Sequence, residues 1–108
     1  QHGYGYVRVP STNMHQRHTV VLDNMEHFDW LLFLDGDSMV VNYARRVEEF
    51  VDASVNLVLV QRLINGEVCA CGYLIRNSAW SRDFLGEWLG YKSGKVHNSD
   101  NGILIFIL

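Results

Sequence analysis

Five consecutive apolar residues, Trp30-Leu31-Leu32-Phe33-Leu34, run straight into Asp35-Gly36-Asp37, and this junction constrains the chain more than any other stretch. An unbroken apolar run of that length, closed by turn-forming residues, reads as a strand buried on both faces, the kind found in a parallel sheet covered by helices. Residues 56–60 read as a second buried strand. Between the two, residues 45–52 read as a short helix with Val47, Phe50 and Val51 on one side. Strand, helix and strand in that order predict a right-handed crossover, and hence an α/β fold whose sheet is mostly parallel and flanked by helices.

The rest of the pattern surrounds this unit. Met14, Val21, Leu22, Met25 and Phe28 fall at helical spacing after a cap at Ser11 or Thr12. The single proline, Pro10, separates that helix from a short β-like piece over residues 5–9. Asn65-Gly66 is a hairpin-type turn leading into strand-like residues 67–70 and then 73–76. Asn77 or Ser78 caps a further helix, whose Trp80, Phe84, Leu85, Trp88 and Leu89 form an aromatic stripe that reads as core packing. Residues 92–99 read as a polar loop, and residues 100–108 as either helix or strand.

Charge and composition exclude several classes of partner. Nine Lys plus Arg against twelve Asp plus Glu leave a net charge of -3, so no basic surface is expected for nucleic acid or an anionic membrane. The longest apolar runs, residues 30–34 and 103–108, fall far short of the roughly 18 residues of a membrane span. Residues 1–6 do not read as a basic-then-apolar secretory leader. The apolar content of 48%, with 12% aromatic residues, is enough for the core of one domain. Cys69 and Cys71 stand too close together for an easy mutual disulfide and lack the companions of a zinc framework.

The chemistry in this sequence centres on Asp35 and Asp37. Ligands of open α/β sheets gather at the carboxyl ends of strands, and one glycine between two carboxylates lets both approach a single hard divalent cation. Such an ion grips a diphosphate and neutralises it as a leaving group. The bland reading, in which Asp-Gly is only a good turn former, carries comparable weight at this position. An EF-hand fails because Met39 stands where an oxygen ligand is required. A haloacid-dehalogenase-like phosphatase, with Asp35 as phosphoryl nucleophile and Asp37 as acid/base, remains a weaker alternative.

Asp29-Trp30-Leu31-Leu32-Phe33-Leu34-Asp35-Gly36-Asp37 with Val41-Asn42 resembles the nucleotide-sugar signature of GT-A glycosyltransferases. His2-Gly3-Tyr4, Arg17-His18, Glu48-Glu49-Phe50, Asn65-Gly66-Glu67, Tyr73-Leu74-Ile75-Arg76-Asn77 and Ser99-Asp100-Asn101-Gly102 follow in the order of a nematode-expanded glycosyltransferase-like family. That family is similar to galactosyl-, xylosyl- and mannosyltransferases of plants and yeast. The resemblance implies the central portion of a Rossmann-like GT-A fold over residues 1–108, lacking the N-terminal base-binding strand and the C-terminal metal and acceptor portion. It implies a nucleoside-diphosphate sugar donor, a glycan acceptor, Mn²⁺ or a similar ion, and transfer with retention. It also implies the Golgi or secretory-pathway lumen, with any membrane anchor outside this segment.

Residue by residue, the resemblance makes Asp35 and Asp37 the metal-diphosphate pair, and Gly36, Gly72 and Tyr73 part of the donor site. Tyr73 matches a loop approaching sugar and acceptor, while Asp100 and Asn101 are the catalytic candidates. Two departures, Cys71 where relatives have glycine and Ile103 with Ile105 in the tail, leave open an inactive binding remnant of the same fold. Outside these positions, Arg17 and His18 read as a solvated helix face, with contact to a diphosphate as the sharper alternative. His97 reads as an exposed loop histidine, with proton transfer as its alternative. Asn77-Ser78-Ala79 misses a glycosylation sequon by one residue.

Overall fold

In the computed structural model, residues 3–8, 10, 16–91 and 100–108 are described. Among the described residues, three strands, β1 (Trp30–Leu34), β2 (Leu57–Gln61) and β3 (Val68–Arg76), form one sheet in the order β1-β3-β2. Both outer strands are antiparallel to β3, which corrects the expectation of a mostly parallel, Rossmann-like sheet. The strands β1 and β2 do point the same way, but β3 sits between them, so both hydrogen-bonded pairs among the described residues are antiparallel. The crossover reading failed because sequence order says nothing about which strand takes the central place. It was misled too by residues 45–52, where Val47–Phe50 form a 3-10 turn and Phe50 stays exposed rather than packing on the sheet.

The hairpin joining β2 to β3 follows the sequence signal. Arg62 N donates to Glu67 O and Gly66 N to Arg62 O, each at 2.8 Å. Gly66 has φ +69°, a left-handed conformation that costs glycine little and a Cβ-bearing residue more. On the far side, Asn77 N donates to Asp29 O, which closes the pairing of β3 with β1.

Burial alternates along β1 instead of covering both faces. Leu31 and Phe33 pack into the core, while Leu32 and Leu34 remain about half exposed. Among the described residues, the helices α1 (Thr19–Asn24), α2 (Ala79–Gly90) and α3 (Asp100–Ile107) cover one face. Val21 and Met25 from the first helical segment, Phe84, Leu85 and Trp88 from α2, and Ile103 and Leu104 from α3 meet Ala70, Tyr73 and Ile75 of β3. Single 3-10 turns, Gln16–His18 and Met25–His27, extend α1 at both ends. The N-terminus of α2 is capped as its sequence predicts, with Ser78 Oγ accepting from Ser81 N at 3.1 Å. The aromatic stripe of α2 is core at Phe84 and Trp88, whereas Trp80 stacks on Phe84 and stays half exposed.

Candidate functional site

Everything at the candidate site is arranged around an irregularity in β3. Leu59 of β2 lies opposite Tyr73, and the next β2 residue, Val60, lies opposite Cys69. Ala70, Cys71 and Gly72 therefore have no opposite number on β2 and form a wide bulge. Bulges bend a strand and re-aim its groups, which is why they recur beside functional sites. On the β1 side the bulge is still held: Gly72 pairs with Leu34, and Asp35 N donates to Cys71 O at 3.0 Å. Immediately beyond, Ser38 N donates to Asp35 O at 2.9 Å, folding Gly36 and Asp37 into a tight turn.

A second segment, remote in sequence, reaches the same bulge. Asn101 Oδ1 accepts from Ala70 N at 2.7 Å, and its Nδ2 donates to Glu67 Oε1 at 3.3 Å. Asn101 thus supplies an acceptor to a backbone N–H that the bulge has removed from the ladder. Asp100, the first residue of α3, immediately precedes Asn101 in the chain. The turn at residues 35–37 and the start of α3 are accordingly brought to the same three residues of β3.

Asp35 is largely enclosed, and Arg17 Nη1 donates to its Oδ1 at 2.5 Å. The Arg17 guanidinium also lies 5.8 Å from the Phe33 ring centre. Asp37 is exposed. Gly36 has no left-handed φ, and a Cβ built there would meet nothing within 4 Å, so the fold itself does not require glycine at this position. At Gly72 a Cβ would come within 3.4 Å of Leu34 Cδ2, a close strand contact.

Tyr73 lies within β3, not in a loop, and its ring enters the core with 2% of its surface exposed. Its hydroxyl meets His18 Nδ1 at 2.9 Å, and its ring stacks on Phe33 with centroids 5.0 Å apart. His18, also buried, stacks on Trp88 at 4.1 Å. The solvated reading of Arg17 and His18 is therefore corrected: one is bound to Asp35 and the other is core. A signal for His18 was present, since positions 18, 21, 22 and 25 continue the apolar spacing of the helix one turn backwards. No comparable pattern marks Arg17, whose partner lies across a tertiary contact. His97 lies outside the described residues.

The cysteines also depart from expectation, because Cys69 and Cys71 are joined by a disulfide. In a regular strand, residues two apart are separated by about 6.5 Å. The bulge brings their Cα atoms to 5.2 Å, within the range a disulfide accepts.

Among the described residues, no group of three or more His, Cys, Asp or Glu side chains is gathered to hold a metal ion. Two carboxylates on one turn, the first facing Arg17, make a poor closed metal centre. Their hard oxygen donors suit an ion that takes its remaining ligands from a bound diphosphate and water. A family model described as protein of unknown function, DUF273, matches residues 2–108. No curated protein and no solved structure matches the chain.

Proposed function

The chain belongs to the DUF273 family, and for it we propose metal-dependent transfer of a sugar from a nucleoside-diphosphate donor to a glycan, with Asp35 and Asp37 at the diphosphate. The observation that carries this reading is the convergence of two remote segments on one bulge, Asp35 through Cys71 O and Asn101 through Ala70 N. These are the segments in which the resemblance to GT-A transferases places the diphosphate pair and the catalytic candidates. The likeness at issue concerns the local site; the sheet around it is antiparallel.

Each residue takes a role its surroundings allow. Asp37 is open to solvent and presents its carboxylate to an incoming ion, while Asp35 is aimed by its backbone bond to β3 and by Arg17. A divalent ion such as Mn²⁺, when bound, supplies the positive charge that stabilises the departing diphosphate. Arg17 adds a planar guanidinium suited to phosphate oxygens. Asn101 anchors the start of α3 to β3 and so fixes the backbone from which Asp100 acts at the sugar end, steadying the positive charge that grows at the anomeric carbon. Transfer with retention and a place in the secretory-pathway lumen belong to the same reading and rest on the resemblance alone.

The test is calorimetric and kinetic. Mn²⁺ should bind weakly by itself and more tightly with a nucleoside diphosphate present, because each completes the other's site. The double variant Asp35→Asn, Asp37→Asn should lose that enhancement, and donor hydrolysis and transfer should fall with it. Equal titrations of both proteins would defeat the proposal. Retained binding without any turnover would identify a binding remnant, and a phosphoryl-aspartate trapped at Asp35 would identify the phosphatase.

A further inference from the structure

The bulge carries a second chemistry, separate from sugar transfer. We propose that Cys69–Cys71 is a thiol-exchanging disulfide, opened by a dithiol reductant that attacks Cys71 and displaces Cys69 as the leaving thiolate. Three observations support it. The two cysteines are unequally exposed, since Cys69 is 1% exposed whereas Cys71 is only partly covered. A reductant from solvent therefore meets Cys71 in preference to Cys69.

The buried sulfur is also prepared for charge. Arg62 Nη2 lies 3.4 Å from Cys69 Sγ, and Cys71 N donates to the same sulfur at 3.2 Å. Glu67 holds Arg62 in place through Nη1 at 2.9 Å. A thiolate enclosed without donors is disfavoured, but a guanidinium and an amide N–H directed at it reverse that preference. A leaving thiol of lower pKa departs faster. Finally, a bridge between residues two apart closes so small a loop that it restrains the unfolded chain about as little as a disulfide can. Stability gives little reason for it.

The exchange balances in two steps. A reductant thiolate forms a bond to Cys71 Sγ as the Sγ–Sγ bond breaks, and that electron pair leaves on Cys69 Sγ beside Arg62. The reductant's second thiolate then attacks its own sulfur in the mixed disulfide, releasing Cys71 as a thiolate. The reductant ends as a disulfide, the cysteine pair has gained two electrons, and the two thiol protons pass to the protein or to solvent.

The experiment uses the oxidised 108-residue chain with dithiothreitol at fixed pH, quenched by iodoacetamide and read by intact mass. Arg62→Gln should slow reduction by about threefold, the effect of a one-unit pKa change at a sensitivity near one half. In the single-cysteine variants, glutathione disulfide should modify Cys71 in Cys69→Ser about tenfold faster than Cys69 in Cys71→Ser. Should either variant lose its circular-dichroism signature, peptide mapping of the wild type after limited glutathione treatment shows which sulfur captures the thiol. Capture at Cys71 sustains the proposal. Capture at Cys69, equal rates with and without Arg62, or two free thiols after oxidation by glutathione disulfide would each overturn it.

Discussion

Removing one oxygen atom at Tyr73 separates a core role from a substrate role. Tyr73→Phe keeps the ring that stacks on Phe33 and deletes only the hydroxyl lying 2.9 Å from His18 Nδ1. Both side chains are buried, so a lost hydrogen bond there cannot be replaced cheaply by water. Removing a partner from a buried polar group costs about 1–3 kcal/mol. Relief from burying the hydroxyl offsets part of that, leaving a net loss of about 1–2 kcal/mol. For a domain of this size each kcal/mol moves the midpoint by about 4–8 °C, so Tm should fall by about 4–16 °C. Thermal melts followed by circular dichroism read the change. A double-mutant cycle with His18→Phe should give a coupling of about 1 kcal/mol, because the two changes remove the same bond. An unchanged melt with additive effects would refute the core reading. If transfer activity vanished in that same stable variant, the hydroxyl would belong to the sugar site, as the resemblance had it.

Gly36→Ala should leave the melt within about 0.5 kcal/mol of wild type, since the backbone is not left-handed and the added Cβ meets open space. A larger loss in chemical denaturation would show that the turn needs glycine for itself. Asn101→Ala should destabilise by about 1–2 kcal/mol, because Ala70 is fully buried and its N–H loses its acceptor. Equal stability in a urea titration would place Asn101 outside the structural latch. Glu49 has its carboxyl pKa held below the usual value, chiefly by the Arg46 backbone N–H and then by the Arg45 side chain. Its contribution to stability is therefore present above the ordinary glutamate pKa of about 4.3 and fades as pH falls through the lower folded value. Carboxyl NMR titration should place its midpoint below the ordinary glutamate value of about 4.3, and a midpoint at that value would contradict the contacts.

Local signals in this chain are legible one element at a time. The run Trp30–Leu34 is a strand, Asn65-Gly66 turns a hairpin, and Ser78 caps a helix. Each depends on residues within a few positions of one another, where backbone preference and side-chain spacing act directly. The same reading erred on Leu32 and Leu34, because a continuous apolar run looks alike whether one face of a strand is covered or both. It erred again at Cys69 and Cys71, whose approach depends on a bulge that only pairing with β2 reveals.

By itself, then, the sequence determined the apolar strand segments, the Asn65-Gly66 turn and the start of α2, and it marked Asp35-Gly36-Asp37 and Asp100-Asn101 as residues that could carry chemistry. Tertiary structure decided that β3 lies between β1 and β2, that it pairs antiparallel with both, and that Arg17 meets Asp35 while His18 meets Tyr73. The reason is range. Periodicity and turn preference are properties of neighbouring residues, whereas strand order, bulge position and a charge's partner follow from which surfaces bury best against each other once the chain has closed on itself.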